Sequence, residues 1–199
     1  MKFHPAPFLT GTVTQVLNSD DVDRRDTFEA AALELTFAGI PGNRHFGPTK
    51  PAGPREKHYP AGHPMANMRQ WSAVSEEELA AAAKLMGLDD LDPGWIGANI
   101  VVEGIPHFSQ LPLVSHLFFD RDGEPGPVLG VYEHNGPCTW PETYIEAGAR
   151  RKPLVSFAKG GLGRRGLVGW VDAEGIIRPG DRVVVKIPKL TETPNPVAL

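Results

Sequence analysis

From Thr10 to Leu17 apolar and polar side chains alternate as in a half-buried strand, and Ala31 to Phe37 puts Leu33, Leu35 and Phe37 on one face of a second strand. That strand runs directly into a glycine turn, Gly39-Ile40-Pro41-Gly42-Asn43-Arg44-His45-Phe46-Gly47. The following stretch, Pro48 to Pro64, is polar and rich in proline and glycine, and reads as an exposed loop or lid inserted between elements. The period changes at Ser75-Glu76-Glu77-Glu78. This is a capping box, in which the Ser75 hydroxyl accepts from the Glu78 amide while the Glu78 carboxylate reaches back to the cap. Ala80 to Met86 continues the helix, and Gly87 is placed to end it. Beyond Asp92-Pro93-Gly94, five segments read as strands: Asn99 to Val102, Leu113 to Phe119, Val128 to Tyr132, Leu167 to Val171 and Arg182 to Ile187. Asp120-Arg121-Asp122-Gly123-Glu124 reads as a hairpin connection. Six or more strands with two short helices predict a mainly β protein, and a closed or half-closed β-barrel leaves no long bare edges.

Composition narrows this picture without changing it. A chain of 199 residues, 41% hydrophobic, suffices for one core, so a single domain over 1–199 is expected, with its core at about 11–187, the 48–64 insertion and a 188–199 tail. The 22 glycines and 20 prolines are dispersed, which favours short, frequently turned elements. Twenty Lys and Arg against 24 Asp and Glu give a net charge of -4, with no global pull toward nucleic acid or an acidic membrane, so any cationic site must be local. Met1 to Leu9 has no apolar run of signal-peptide length, and nowhere do about 18 apolar residues run together. The expectation is a soluble cytoplasmic protein without nucleic-acid or membrane partners. A single cysteine cannot form an internal disulfide, which suits a reducing compartment.

That cysteine is the main chemical candidate. Cys138 lies in Asn135-Gly136-Pro137-Cys138-Thr139-Trp140-Pro141-Glu142, where Thr139 and Glu142 repeat the capping-box spacing. The thiol is therefore expected just before a helix, whose orphan amides and positive dipole end favour an anion and a lowered thiol pKa. The alternative is a small buried hydrophobe. His134, four residues earlier, allows a thiol–imidazole dyad, but no third group orients it. Gly160-Gly161-Leu162-Gly163-Arg164-Arg165-Gly166 joins a permissive backbone to two guanidinium groups, an arrangement suited either to an anion or to a solvated connection. Asn43-Arg44-His45 either lines a cavity mouth or simply turns the chain. Histidines 4, 58, 63, 107, 116 and 134 have no compact metal spacing, and neither a Walker nor a dinucleotide fingerprint is present.

Taken in order, these pieces resemble the MOSC domain, the family named for the carboxyl-terminal part of molybdenum cofactor sulfurases. Gly39 through His45 resembles the family's glycine, acidic residue, any residue, histidine turn. Arg69, Ala73-Val74-Ser75 and the capped helix resemble its arginine-strand-helix block, and Trp95 through Ile100 is similar to its Gly-Glu-Asn-Leu segment. Cys138 falls where the family places its single cysteine, and Arg165-Gly166 through Gly180-Asp181 resembles the closing hairpin. The resemblance spans about Gly11 to Ile187, with two departures: Asn43 stands for the usual aspartate and Ala98 for the usual glutamate.

The resemblance implies a barrel of the MOSC and pyruvate kinase type that binds the molybdenum cofactor (molybdopterin), a pterin dithiolene bearing a phosphate. It implies two roles for Cys138: molybdenum ligand in the reduction of N-hydroxylated small-molecule substrates, or carrier of a persulfide received from a cysteine desulfurase and passed to a metal centre. His45, Arg69 and Asn99 are the implied pocket residues, with Arg164 and Arg165 as further anion candidates. A third role is a barrel that binds a pterin or a protein partner and does no chemistry. The family is also associated with pyridoxal phosphate desulfurases, but no lysine motif here argues for that cofactor. No flavin, haem or iron-sulfur motif is visible, so a reductase requires redox partner proteins.

Overall fold

The computed structural model describes residues 8–19 and 21–188; His4 and nearly all of the 188–199 tail lie outside them. In chain order the first strands are β1 (Phe8–Asn18), β2 (Phe28–Glu29), β3 (Leu33–Leu35), β4 (Thr49–Pro51), β5 (Pro64–Ala66) and β6 (Trp71–Ser75). Helix α1 (Glu76–Met86), β7 (Ile100–Glu103), β8 (His116–Arg121) and β9 (Glu124–His134) follow. The chain continues through α2 (Glu142–Ala149), α3 (Phe157–Gly160), β10 (Leu167–Ala173), β11 (Gly175–Ile177) and β12 (Arg182–Lys186).

Seven strands close a barrel in the order β12-β8-β9-β10-β6-β7-β1, with β1 returning to β12 in register from Phe8↔Lys186 to Thr12↔Arg182. Every pairing around the ring is antiparallel except β6–β7. Closure pairs every strand on both sides and so removes the edge liability that a sheet of this size would carry. The parallel pair is joined by α1, the connection that parallel neighbours require. Its strands are buried on both faces: Trp71, Ala73, Ile100 and Val102 point into the barrel, while Val74 and Val101 join a second cluster under α1. That explains why Trp71 to Ser75 lacks the alternation of a half-solvated strand. On the far side the alternation is plain. Leu117, Phe119, Leu129, Val131, Val183 and Val185 face inward, and Phe118 is exposed.

Leu79, Ala82, Ala83 and Met86 make the buried stripe of α1 at the spacing of one helix face. The capping box forms only by half. Ser75 accepts from the Glu78 amide at 3.4 Å, but the Glu78 carboxylate turns away from the cap to the Ser109 amide at 3.1 Å and to the Ser109 hydroxyl. Ser109 Oγ in turn accepts from the Gly166 amide at 2.7 Å, and the Gly166 carbonyl accepts from the Asn135 amide at 2.9 Å. Gly166 has φ +75, and a Cβ there would meet the Ala73 carbonyl oxygen at 1.8 Å, so only glycine fits this crossing. A chain of bonds thus runs from α1 to the two segments that carry Asn135 and Arg165.

Two expectations are corrected. Phe37 does not share the buried face of Leu33 and Leu35; it is 60% exposed, because β3 ends at Leu35 and a turn closed between Thr36 and Gly39 reverses the chain. The 48–64 segment is not a bare loop, since β4 at its start pairs with β5, which begins at its last residue, as a short ribbon. The hairpin at Asp120–Glu124 forms as a two-residue turn with Asp122 at φ 53 and Gly123 at φ 86, both positive as that turn demands.

Replacing Ser109 by alanine leaves the Gly166 amide buried without its acceptor and removes one donor from Glu78. The expected loss is about 1–3 kcal/mol, read as a lower urea midpoint at unchanged slope. A midpoint equal to that of the parent protein would show that the chain of bonds does not hold the fold together.

Candidate functional site

A cavity of about 250 Å³ opens where the end of β1 and the starts of β6 and β7 meet the segment leaving β9. Its polar lining is dominated by Arg24, Arg25, Arg44, Arg55, Arg69 and Arg165, with Asp26 as the one carboxylate. Arg24 is matched by Asp26, donating from Nε at 2.9 Å and from Nη2 at 2.5 Å. Arg69 donates to the Glu133 carboxylate and, at 3.2 Å, to Asn135 Oδ1. Among the described residues, no carboxylate lies within ion-pair distance of Arg25, Arg44, Arg55 or Arg165. In a chain of net charge -4 this is a strongly cationic spot, local as the composition requires.

Arg165 is the unusual member, only 6% exposed. Its guanidinium lies over the rings of Trp140 and Phe157, with centroid distances of 5.5 and 5.7 Å. Nη1 donates to the Gly136 carbonyl at 2.8 Å and to Cys138 Sγ at 3.1 Å. Nε is buried without a partner. Burial pulls this guanidinium below its ordinary pKa, and the neighbouring sulfur opposes that pull. A buried cation with an orphan donor, on a residue that lines a cavity, is incomplete by the standard of native interiors.

The half-exposed thiol of Cys138 sits beside the cavity lining, with Arg165 belonging to both. The expected helix placement is corrected. Helix α2 begins only at Glu142, Pro141 occupies the cap without a side-chain bond, and the Glu142 carboxylate accepts from the Phe157 amide at 3.1 Å. Thr139 contributes only its carbonyl, to the Glu142 amide, so the sulfur's charged neighbour is a guanidinium and not a helix end. His134 is no partner to the sulfur, because its Nε2 is hydrogen-bonded to the Leu111 carbonyl at 2.9 Å.

The structure brings His45, Arg69, Asn99 and Arg165 together on the cavity wall and leaves Arg164 off it, donating to the Leu162 carbonyl at 3.0 Å. Asn99 is chiefly a strand tie: Oδ1 accepts from the Ser72 amide at 3.1 Å and Nδ2 donates to the Leu17 carbonyl at 3.3 Å. Asn43 is buried and donates to Asn18 Oδ1 at 3.2 Å, while its Oδ1 accepts from the His45 amide at 3.0 Å. An aspartate there would lose the donor and add negative charge to the wall. Ala98 is buried and its carbonyl accepts from Thr27 Oγ1 at 2.6 Å. Sequence reading missed Arg24, Arg25, Arg55 and Trp140, which reach the cavity from separate loops with no shared spacing; the Arg24-Arg25 pair was the one visible hint.

No cluster of three or more His, Cys, Asp or Glu suited to a metal ion occurs among the described residues. No helix among them is long and apolar enough to cross a membrane.

Comparison with known proteins places this geometry in context. The MOSC domain family matches residues 41–184. The putative metal-sulfur cluster biosynthesis protein YuaD of Bacillus subtilis (strain 168) is 36% identical over 155 residues, covering 77% of this chain and 79% of that protein. The crystal structure of YuaD superposes with a TM-score of 0.84 at 32% identity, covering 93% of this chain and 100% of that one. The structure of YiiM from Escherichia coli shares the fold at a TM-score of 0.58 and 15% identity, over 93% of this chain and 73% of that one.

Loss of solvation at the cavity, followed by the positive fields of Arg69, Arg44, Lys50 and Arg55, pushes the His45 imidazole down to about 4 from an ordinary 6.5. His45 is thus neutral at physiological pH. The fold is unpenalised above 6.5 and loses stability as pH falls from 6.5 toward 4. The His45 ring proton resonances are expected to titrate near 4, and inorganic phosphate in the cavity should raise that midpoint by adding negative charge. A midpoint of about 6.5 that phosphate leaves unmoved would show that the arginine field does not reach this ring.

Proposed function

The chain belongs to the MOSC family, and from that premise we propose that its arginine-lined cavity receives the phosphate-bearing end of the molybdenum cofactor, with Cys138 as the protein's sulfur ligand to the metal. The observation that carries this reading is Arg165, a buried guanidinium that lines the cavity with Nε unpartnered while Nη1 holds Cys138 Sγ at 3.1 Å. The donor set suits that cofactor. A free divalent ion needs three or four protein ligands, whereas a metal carried by its own dithiolene needs only one soft ligand from the chain.

The chain's own groups have separable tasks. Arg25, Arg44 and Arg165 meet the phosphate charge, and a planar guanidinium fork matches phosphate oxygens better than an ammonium does. Arg69 braces the segment leaving β9 through Asn135, and Arg165 braces it again through the Gly136 carbonyl, so the cysteine is presented from a loop fixed at two points. Trp140 and Phe157 cover the Arg165 guanidinium and keep water from competing for it. When bound, the molybdenum centre supplies the electron-pair chemistry for reducing an N-hydroxylated small molecule, with electrons delivered by redox partner proteins.

A second reading has its own support: Cys138 is half-exposed, and YuaD carries the name of a putative metal-sulfur cluster biosynthesis protein. In that reading Cys138 accepts sulfur from a cysteine desulfurase as a persulfide, and Arg165 is the counter-charge for the sulfur anion.

Expression in cells able and unable to make the cofactor separates the two. The proposal expects molybdenum near one per chain only in the competent cells, hydroxylamine reduction with it, and a fall of roughly an order of magnitude or more in metal content for Cys138→Ser. Metal-free protein from competent cells that carries a trappable persulfide would replace the reductase reading with the carrier; neither metal nor persulfide would leave a binding barrel without chemistry.

A further inference from the structure

A second cleft of about 360 Å³ adjoins the cavity, lined by Lys50, Arg55, Glu56, Met65, Ala66, Met68, Arg69, Leu113, Tyr132 and Glu133. Arg55 and Arg69 line both spaces, so the two share a cationic wall. Apart from that wall the chemistry is different. The cleft's acids are already engaged, Glu56 with Lys50 and the Gly53 amide, and Glu133 with Arg69. What remains open is apolar: Met65 and Met68 on the 48–68 segment, facing Leu113 and Tyr132, which stay 45% and 44% exposed.

Size points the same way as chemistry. Organic ligand sites run from about 300 to 1,000 Å³. The cavity, about 250 Å³, falls below that range and suits a compact anion, whereas the cleft, about 360 Å³, lies within it by itself. Methionines make an adaptable wall for flat, polarizable groups. Arg55 has no carboxylate partner among the described residues, so an anion at the shared wall has a waiting counter-charge.

We propose that the cleft is a specificity subsite, built by the 48–68 segment, for the flat apolar part of the molecule this protein acts on, with that molecule's negative group held at Arg55 and Arg69. The substrate class is therefore an aromatic or heteroaromatic compound bearing a phosphate or carboxylate. The proposal rests on reading the neighbouring cavity as an anion site, and the experiment keeps the two apart.

Phenyl phosphate and inorganic phosphate are titrated into the full chain by calorimetry at matched ionic strength, with the methionine methyl groups followed by NMR. The chain has four methionines, and Met86, wholly buried under α1, is the internal control. The ester should bind roughly tenfold or more tightly than inorganic phosphate, from burial of its ring. It should move the Met65 and Met68 methyl signals and leave Met86 in place, while inorganic phosphate moves none of them. Leu113→Asp, a change at an exposed position, should erase the preference for the ester, and Arg55→Gln should weaken both ligands. Equal affinities with unmoved Met65 and Met68 signals overturn the subsite and leave the anion cavity standing. Binding of neither ligand overturns both.

Discussion

A guanidinium that has been taken out of water must be answered on every side, and that demand on Arg165 organises the region around it. Transfer of a charge into a protein interior costs several kcal/mol even after relaxation, so a residue only 6% exposed survives there through specific partners. Two aromatic faces, one carbonyl and one sulfur supply them. Three of them come from the one segment after β9 and the fourth from α3. Trp140 and Gly136 lie on the segment after β9, and Phe157 begins α3, packed with Ile145 and Met86 in the cluster beneath α1. Cys138 is thus held by the same group that closes the cavity wall, and the charge on one affects the other.

The barrel makes this possible because its interior and its helical flank are separate hydrophobic bodies. One cluster fills the barrel, the other fills the space between β6–β7 and α1. The cavity lies at strand termini on the border of both, touching Trp71 of one and Ile96 of the other, where polar groups can be concentrated without interrupting either core. Asn99 shows how closely the two requirements are joined: it ties β1, β6 and β7 through Leu17 and Ser72, and the same residue floors the cavity.

Much of the framework was legible in the residues, because strands and an amphipathic helix follow from local spacing. The strand segments themselves, the Gly87 stop and the Asp122-Gly123 turn rest on patterns within a few positions, whereas the order of strands around the barrel is set by distant pairings such as Phe8 with Lys186. Failures occurred where a distant partner outbid a local one. Glu78 satisfies the spacing of a capping box, yet Ser109 offers two donors and takes it. Glu142 satisfies it again, yet the Phe157 amide takes that carboxylate, and the helix starts late. Phe37 has strand periodicity, yet the turn at Thr36 to Gly39 expels it. The cavity's arginines were the least visible of all. Five separate connections deliver them, and no local pattern records that they converge. Cys138 could be singled out by its scarcity and Arg165 by its glycine-rich loop, but not that the two would meet.

Like charges held together carry a consequence for the protein as a whole. Four guanidiniums without carboxylates around one cavity repel each other, and positive charge from Arg69, Arg44, Lys50 and Arg55 adds to burial in lowering the pKa of His45. Folding proceeds against that repulsion, so the unliganded protein is less stable than its packing alone would make it. An anion entering the cavity would offset that repulsion, so that binding and folding would be linked and the ligand would stabilise the native state in proportion to its affinity. The same field disfavours free cations. A metal ion approaching alone meets positive charge and too few ligands, whereas one wrapped in an anionic chelate is attracted.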